Sequence, residues 1–260
     1  MKTIPVYRRP LNKSQIKLLK TLYRFRFASS YQIAKSQGRS VRVIYDRLKV
    51  LRDQEFIGQN YDSSYRIKDK PASYYLKSKA IRNLASQPDT SKKVLNNIYH
   101  DKNASKAHID HCLSLFTIYL EIQRLYKNQL QFFTKSELSG QPDLPDYLPD
   151  ALLRQAGRNG YPDENYFLDY YQESVPNFLL SRKIKNYLYF VNIDWLKPKP
   201  PTILMICQTK MMKRKMIEVV KRELDFYSAD IKFLATSLYE LKKWPDKKET
   251  YWQEVDNDYN

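Results

Sequence analysis

The sequence predicts an α/β protein in two parts: a small helical module closed by a hairpin, then a larger sheet unit of order αβββαβαβ. Three observations predict it. Helix-spaced apolar residues fill the first fifty positions and then give way to strand-like alternation. A nearly all-apolar stretch, TILMICQT, sits between two helical patterns, as a central strand of an α/β sheet does. The charge is unevenly spread: residues 1–87 hold 20 Lys+Arg against 5 Asp+Glu, and residues 88–260 hold 25 against 23.

At 260 residues, with 42% apolar and 28% charged residues, the chain can bury a core in each part. No run of 18 apolar residues exists, and the opening MKTIPVYRRPLNK lacks the apolar stretch of a signal peptide, so the expected location is the cytoplasm, off the membrane. Cys112 and Cys207 lie inside apolar periodic segments and are expected as buried thiols. The five glycines form no phosphate-cradling loop, and Gly-x-Ser-x-Gly is absent.

In the first part, Asn12 caps a helix that carries Ile16, Leu19, Leu22 and Tyr23 on one face. Ser30 is the expected cap of a short helix through Ile33 and Ala34, and Gly38 ends it. Ser40 caps a longer helix with Val41, Ile44, Leu48 and Leu51 facing inward. Two helices joined by a few residues that include glycine form a helix-turn-helix. FIGQNY, YRI and SYYLKS then alternate as a hairpin, and KSKAIRNLA returns to helix.

This order resembles winged helix-turn-helix domains over about residues 10–85, within a first domain of residues 1–87. In such domains the second helix of the pair enters the major groove of double-stranded DNA. That nominates Arg39, Ser40, Arg42, Val43, Tyr45 and Arg47 for the groove, and Lys68 and Lys70 on the wing for phosphate. For any one arginine the alternative is a solvated charge.

Residues 88–107 are expected as a polar linker. Beyond it, HIDHCLSLFTIYLEIQRLYK reads as a helix, LQFFTKSEL, PDALLRQ and YFLDYYQ as strands, and NFLLSRKIKNYLYFVNI as a helix. TILMICQT, the helix KMMKRKMIEVVKRELDFYS and the strand IKFLATS complete a domain of residues 108–245. Residues 246–260 form an acidic tail without apolar periodicity, expected to fray.

A Pro-Asp opening the second of these strands and an acid inside the third resemble the PD-(D/E)XK nuclease fold. Together with the N-terminal module, the His-x-Leu at His111 and the Lys-x-x-x-Tyr of the following helix, the chain is similar to the replication-relaxation family, related to relaxases of mobile plasmids. The resemblance implies Asp150 and Asp169 as carboxylates holding Mg2+ or Mn2+, with His111 near the metal or the phosphate. It also implies an acid or lysine where Tyr171 stands; Lys183 or Lys185 is the expected substitute amine, and Glu173 a substitute carboxylate.

Metal-dependent cleavage of a phosphodiester needs carboxylates about 4–6 Å apart. A hairpin pairing Leu152 and Leu153 with Phe167 and Leu168 is expected to bring Asp150 and Asp169 together only with a bulge or an offset. The plain alternatives are a capping role for Asp150 after Pro149, an exposed strand acid at Asp169 and an interhelical histidine at His111. Two functions follow. One is a DNA-nicking, relaxase-like endonuclease of a mobile element that acts on double-stranded DNA and on single strands at an origin. The other is a non-catalytic DNA-binding regulator of replication or transcription, its nuclease-like fold kept as a scaffold or a homodimer surface.

Overall fold

The computed structural model describes residues 10–61, 71–139, 144, 147–157, 163–191, 200–227, 231–243 and 251–255. The chain divides into two compact units, residues 1–104 and 105–260.

In the first unit, α1 (Lys13–Phe25) begins at Asn12, whose side chain and that of Gln15 cap each other's backbone N–H groups. A two-residue strand, β1 (Ala28–Ser29), leads into α2 (Ser30–Gln37). The cap of α2 is Ser29 rather than Ser30, because Gln32 stands three residues after Ser29 and completes a capping box with it. Gly38 ends α2 in the left-handed region at φ 60°, and α3 (Val41–Asp53) starts from Ser40.

Ile44, Leu48 and Leu51 of α3 are buried as expected, whereas Val41, in its first turn, is exposed. β2 (Ile57–Asn60) and β3 (Ser73–Leu76) pair antiparallel, and β1 joins the far edge of β3 to give the order β1-β3-β2. This is the helix, helix, helix, hairpin order read from the sequence. The YRI segment, Lys68 and Lys70 lie outside the described residues.

The expected linker is instead structured. After α4 (Ser78–Leu84), α5 (Lys92–Ile98) buries Val94, Leu95 and Ile98. Asp101 is buried against the Arg26 guanidinium, and Lys20 pairs with Asp89 at 2.8 Å. Three apolar residues at helical spacing and a buried ion pair bind the segment to the first unit, so residues up to Ala104 belong there.

The second unit opens with α6 (Lys106–Leu125), capped by Ser105. β4 (Leu130–Thr134) stops earlier than LQFFTKSEL suggests, because the Glu137 carboxylate accepts from the Thr134 N–H at 2.7 Å and starts a short α7 (Lys135–Leu138). There follow β5 (Ala151–Gln155), β6 (Glu164–Tyr171), α8 (Asn177–Val191), β7 (Thr202–Cys207), α9 (Lys210–Phe226), β8 (Phe233–Ser237) and α10 (Leu238–Lys243).

The tail is not wholly frayed. Gln253–Glu254 forms β9, antiparallel to β8, and Tyr251 and Val255 are buried. Val255 donates its N–H to the Phe233 carbonyl at 3.0 Å, and this bond, with burial of the two side chains, holds a segment that its composition reads as polar.

The sheet runs β4-β5-β6-β7-β8-β9, antiparallel at both ends and parallel from β6 to β8. Each parallel pair is joined through a helix, as parallel neighbours require. The two faces of β6 divide the unit. Phe167 and Tyr171 share a core with Leu180, Ile184 and Tyr187 of α8 and Met216 and Val220 of α9. Tyr170 points the other way, its ring 5.5 Å from that of His111 on α6. β7 is buried from Ile203 to Cys207, which explains its continuous apolar sequence. Among the described residues no helix is long and apolar enough to cross a membrane.

Candidate functional site

The register of β5 and β6 pairs Ala151 with Leu168 and Leu152 with Phe167. Antiparallel partners keep a constant sum of residue numbers, so the next pair outward is Asp150 with Asp169. No bulge or offset is needed: the expected difficulty came from a pairing one residue out of register. The two acids are also joined directly. The Asp150 N–H donates to Asp169 Oδ1 at 3.0 Å, and the Tyr170 N–H donates to Asp150 Oδ2 at 2.9 Å.

Asp169 is fully buried, which is costly for a carboxylate unless it is paired and hydrogen-bonded. It is both. The Lys183 ammonium lies 2.5 Å from Oδ1, and the Tyr187 hydroxyl donates to Oδ2 at 2.5 Å. The Tyr171 hydroxyl makes a longer contact with Oδ2, 3.4 Å. Of the two candidate amines, the fold selects Lys183, whose side chain is 14% exposed. Lys185 points away and pairs with Glu223 at 3.5 Å. Burial opposes the charge on Lys183, but Asp169 and Asp150 outweigh it and hold its pKa above the ordinary lysine range.

Asp150 reaches the other helix. Its Oδ2 lies 3.2 Å from His111 Nε2, with the carboxylate 13% exposed. Burial alone would raise the Asp150 pKa, but Lys183, His111 and the Tyr170 N–H together hold it well below the usual carboxylate range. Burial also works against the protonated imidazole, and Asp150 reverses this, raising the His111 pKa above its ordinary value. Burial, then the nearby Asp169 charge, pushes the Tyr171 and Tyr187 phenols far up, so both remain donors. His111, Asp150, Asp169 and Lys183 thus form one line from α6, past the end of β5 and β6, to α8. The line lies near the C-terminal ends of the parallel strands, where α/β sheets place ligands.

Glu173 does not join this line. β6 ends at Tyr171, and Glu173 accepts from the Thr209 hydroxyl at 2.7 Å. Among the described residues, no group of three or more His, Cys, Asp and Glu side chains is arranged to hold a metal ion. Both Asp169 oxygens are engaged, Oδ1 by the Lys183 ammonium and Oδ2 by the Tyr187 hydroxyl. In this arrangement the residues do not fit Mg2+ or Mn2+.

Tyr187 was not among the residues nominated from the sequence. Its signal in the sequence is the Lys-x-x-x-Tyr spacing of α8, which from Lys183 ends on Tyr187.

In the first unit, Arg39, Arg42, Val43 and Tyr45 are exposed at the start of α3, the positions expected to face a groove. Ser40 is committed to capping, its hydroxyl accepting from the Val43 N–H at 3.4 Å. Arg47 is half-buried and donates to the Ser14 hydroxyl at 2.6 Å, which directs part of its guanidinium back onto α1.

The second unit is thus an α/β unit with two aspartates opposed at one end of adjacent strands and a lysine delivered to them. The chain belongs to the replication-relaxation family, whose sequence profile matches residues 19–201. Among solved structures, the restriction endonuclease FokI is similar with 12% identity and a TM-score of 0.31, over 93% of this chain and 45% of that one. This chain therefore spans less than half of that nuclease. No curated protein sequence matches it.

Proposed function

We propose that this chain is a DNA-processing protein of a mobile element, its basic first unit binding double-stranded DNA and its second unit nicking one strand at the Asp150–Asp169 pair. The observation that carries this reading is the direct opposition of Asp150 and Asp169, with Lys183 on one side at 2.5 Å and His111 on the other at 3.2 Å. The Lys183 ammonium would supply the cationic group for the phosphate, and His111, in its neutral form, the base for water. The charge of the first 87 residues supports DNA as the partner.

A second reading is favoured by Tyr171 and by the engaged oxygens of Asp169: a DNA-binding regulator whose former cleavage site has become a structural network. Entry of Mg2+ or Mn2+ would require Lys183 to leave Asp169.

Incubation with supercoiled plasmid carrying the element's origin, in Mg2+, Mn2+ or chelator, separates the two. The nicking reading expects open circles from the wild type and none from Asp150→Asn or Asp169→Asn. No cleavage under any condition, with salt-sensitive duplex binding retained by all three proteins, establishes the regulator instead.

A further inference from the structure

On the solvent side of α8 and α9 lies a groove of about 930 Å³. It plays no part in the aspartate network. On α8, Phe178, Arg182 and Lys185 recur at helical spacing, while Lys183 and Tyr187 occupy the opposite face. The far wall is Arg222 and Phe226 of α9, with Tyr227 directly after the helix.

Two features of this groove are unusual for a solvent face. The first is bare aromatic surface: Phe178 is 69% and Phe226 77% exposed. The second is organised cationic charge. Glu223, buried at the groove floor, accepts from Arg222 at 3.3 Å and pairs with Lys185 at 3.5 Å. Arg222 is further fixed by the Ser181 hydroxyl at 2.6 Å. One buried acid thus holds two cations at the rim, with Arg182 exposed beside them, and the lining keeps a net positive charge.

Exposed aromatic rings beside cations in one groove match a single-stranded nucleic acid, whose bases stack on rings while its phosphates meet guanidinium and ammonium groups. A second copy of this chain fits less well, because a two-fold contact would set the same cations against themselves. A bilayer fits less well, since the polar Ser181 and Asn186 lie within the groove where acyl chains would go.

We propose that the α8–α9 groove binds single-stranded nucleic acid without sequence preference. The proposal rests on the DNA-processing reading for the choice of partner, but not on cleavage at Asp150 and Asp169.

The test is fluorescence anisotropy of the full chain with a labelled oligothymidine of about twenty nucleotides, and with a duplex of equal length, over a salt series. Phe178→Ala/Phe226→Ala and Arg182→Gln/Lys185→Gln change exposed side chains, and far-ultraviolet circular dichroism checks that both variants fold.

The expected result is single-strand affinity about ten-fold or more lower in the aromatic variant. The cation variant should show a shallower salt dependence, and duplex binding should stay within about two-fold in both. Unchanged single-strand affinity in both folded variants overturns the proposal. So does an effect of the same substitutions on sedimentation with phosphatidylserine vesicles, or on self-association, while oligonucleotide binding stays intact. Asp169→Asn, assayed alongside for nicking, reports on the cleavage reading separately: its loss of nicking with strand binding kept supports both, and a wild type that never nicks but binds single strands through the groove leaves this proposal standing alone.

Discussion

Asp150 and Asp169 face each other across β5 and β6, and each has its carboxylate hydrogen-bonded by backbone of the opposite strand: Asp169 by the Asp150 N–H, Asp150 by the Tyr170 N–H. The acids therefore stitch the end of the hairpin together, whatever chemistry they perform. Their charge is matched from the helices, by Lys183 and His111.

Removing Lys183 leaves a fully buried carboxylate without its cation. Lys183→Met should destabilise the second unit by about 3–5 kcal/mol. Urea unfolding measures this. Adding Asp169→Asn to Lys183→Met should restore part of the loss, because the unpaired buried charge is then gone while the amide oxygen can still accept a hydrogen bond.

The His111–Asp150 contact gives the second unit a pH dependence. A histidine whose pKa is raised by folding contributes stability that is fully present below its unfolded value of 6.5 and is lost as pH rises through the higher folded value. The contribution should thus be present at pH 5.5 and absent at pH 9. In His111→Ala, the difference in melting temperature from the wild type should shrink across that interval. A difference that grows with pH would show that the imidazole is held neutral instead.

In the first unit the turn between α2 and α3 hangs on Gly38 at φ 60°. Gly38→Ala should cost roughly 1 kcal/mol from strain in the left-handed region. Arg42, exposed on α3, should act differently. Arg42→Gln should leave stability unchanged within about 0.5 kcal/mol. It should lower duplex affinity and, if the contact is to phosphate, reduce the salt slope by about 1.

The two cysteines should differ in reactivity. Burial pushes the Cys207 thiol up to about 12, and its side chain is fully enclosed. Cys112 is slightly exposed, with its sulfur 3.6 Å from His108 Nε2. At pH 8 a thiol reagent should modify Cys112 first, and Cys207 only as the second unit unfolds. Mass spectrometry of peptides after timed labelling resolves the order.

The sequence showed element order and the identity of the two acids, because apolar spacing and short motifs are local properties. Register is not local. Leu152, Leu153, Phe167 and Leu168 are all apolar, so they could not say which of them pair, and the opposition of Asp150 to Asp169 was hidden with them. The choice of Lys183 over Lys185 likewise depends on which face of α8 packs on the sheet. The α5 segment reads as a linker because polar residues surround its three apolar ones, and the pairing of Asp101 with Arg26, 75 residues away, leaves no local mark. Tyr187 closes the Lys-x-x-x-Tyr spacing from Lys183, but the bond from its hydroxyl to Asp169 depends on how α8 packs on the sheet, which the spacing does not carry.

The last strand has a consequence of its own. β9 is only two residues long, yet it lies along the outer side of β8, where Leu234 and Ala235 would otherwise offer backbone N–H and C=O groups to any passing chain. An unguarded sheet border is a template for joining molecules edge to edge. Glu254 adds a charge at that border, paired with Lys232 at 2.5 Å. Gln253 and Glu254 thus act as a selvedge over this stretch of β8.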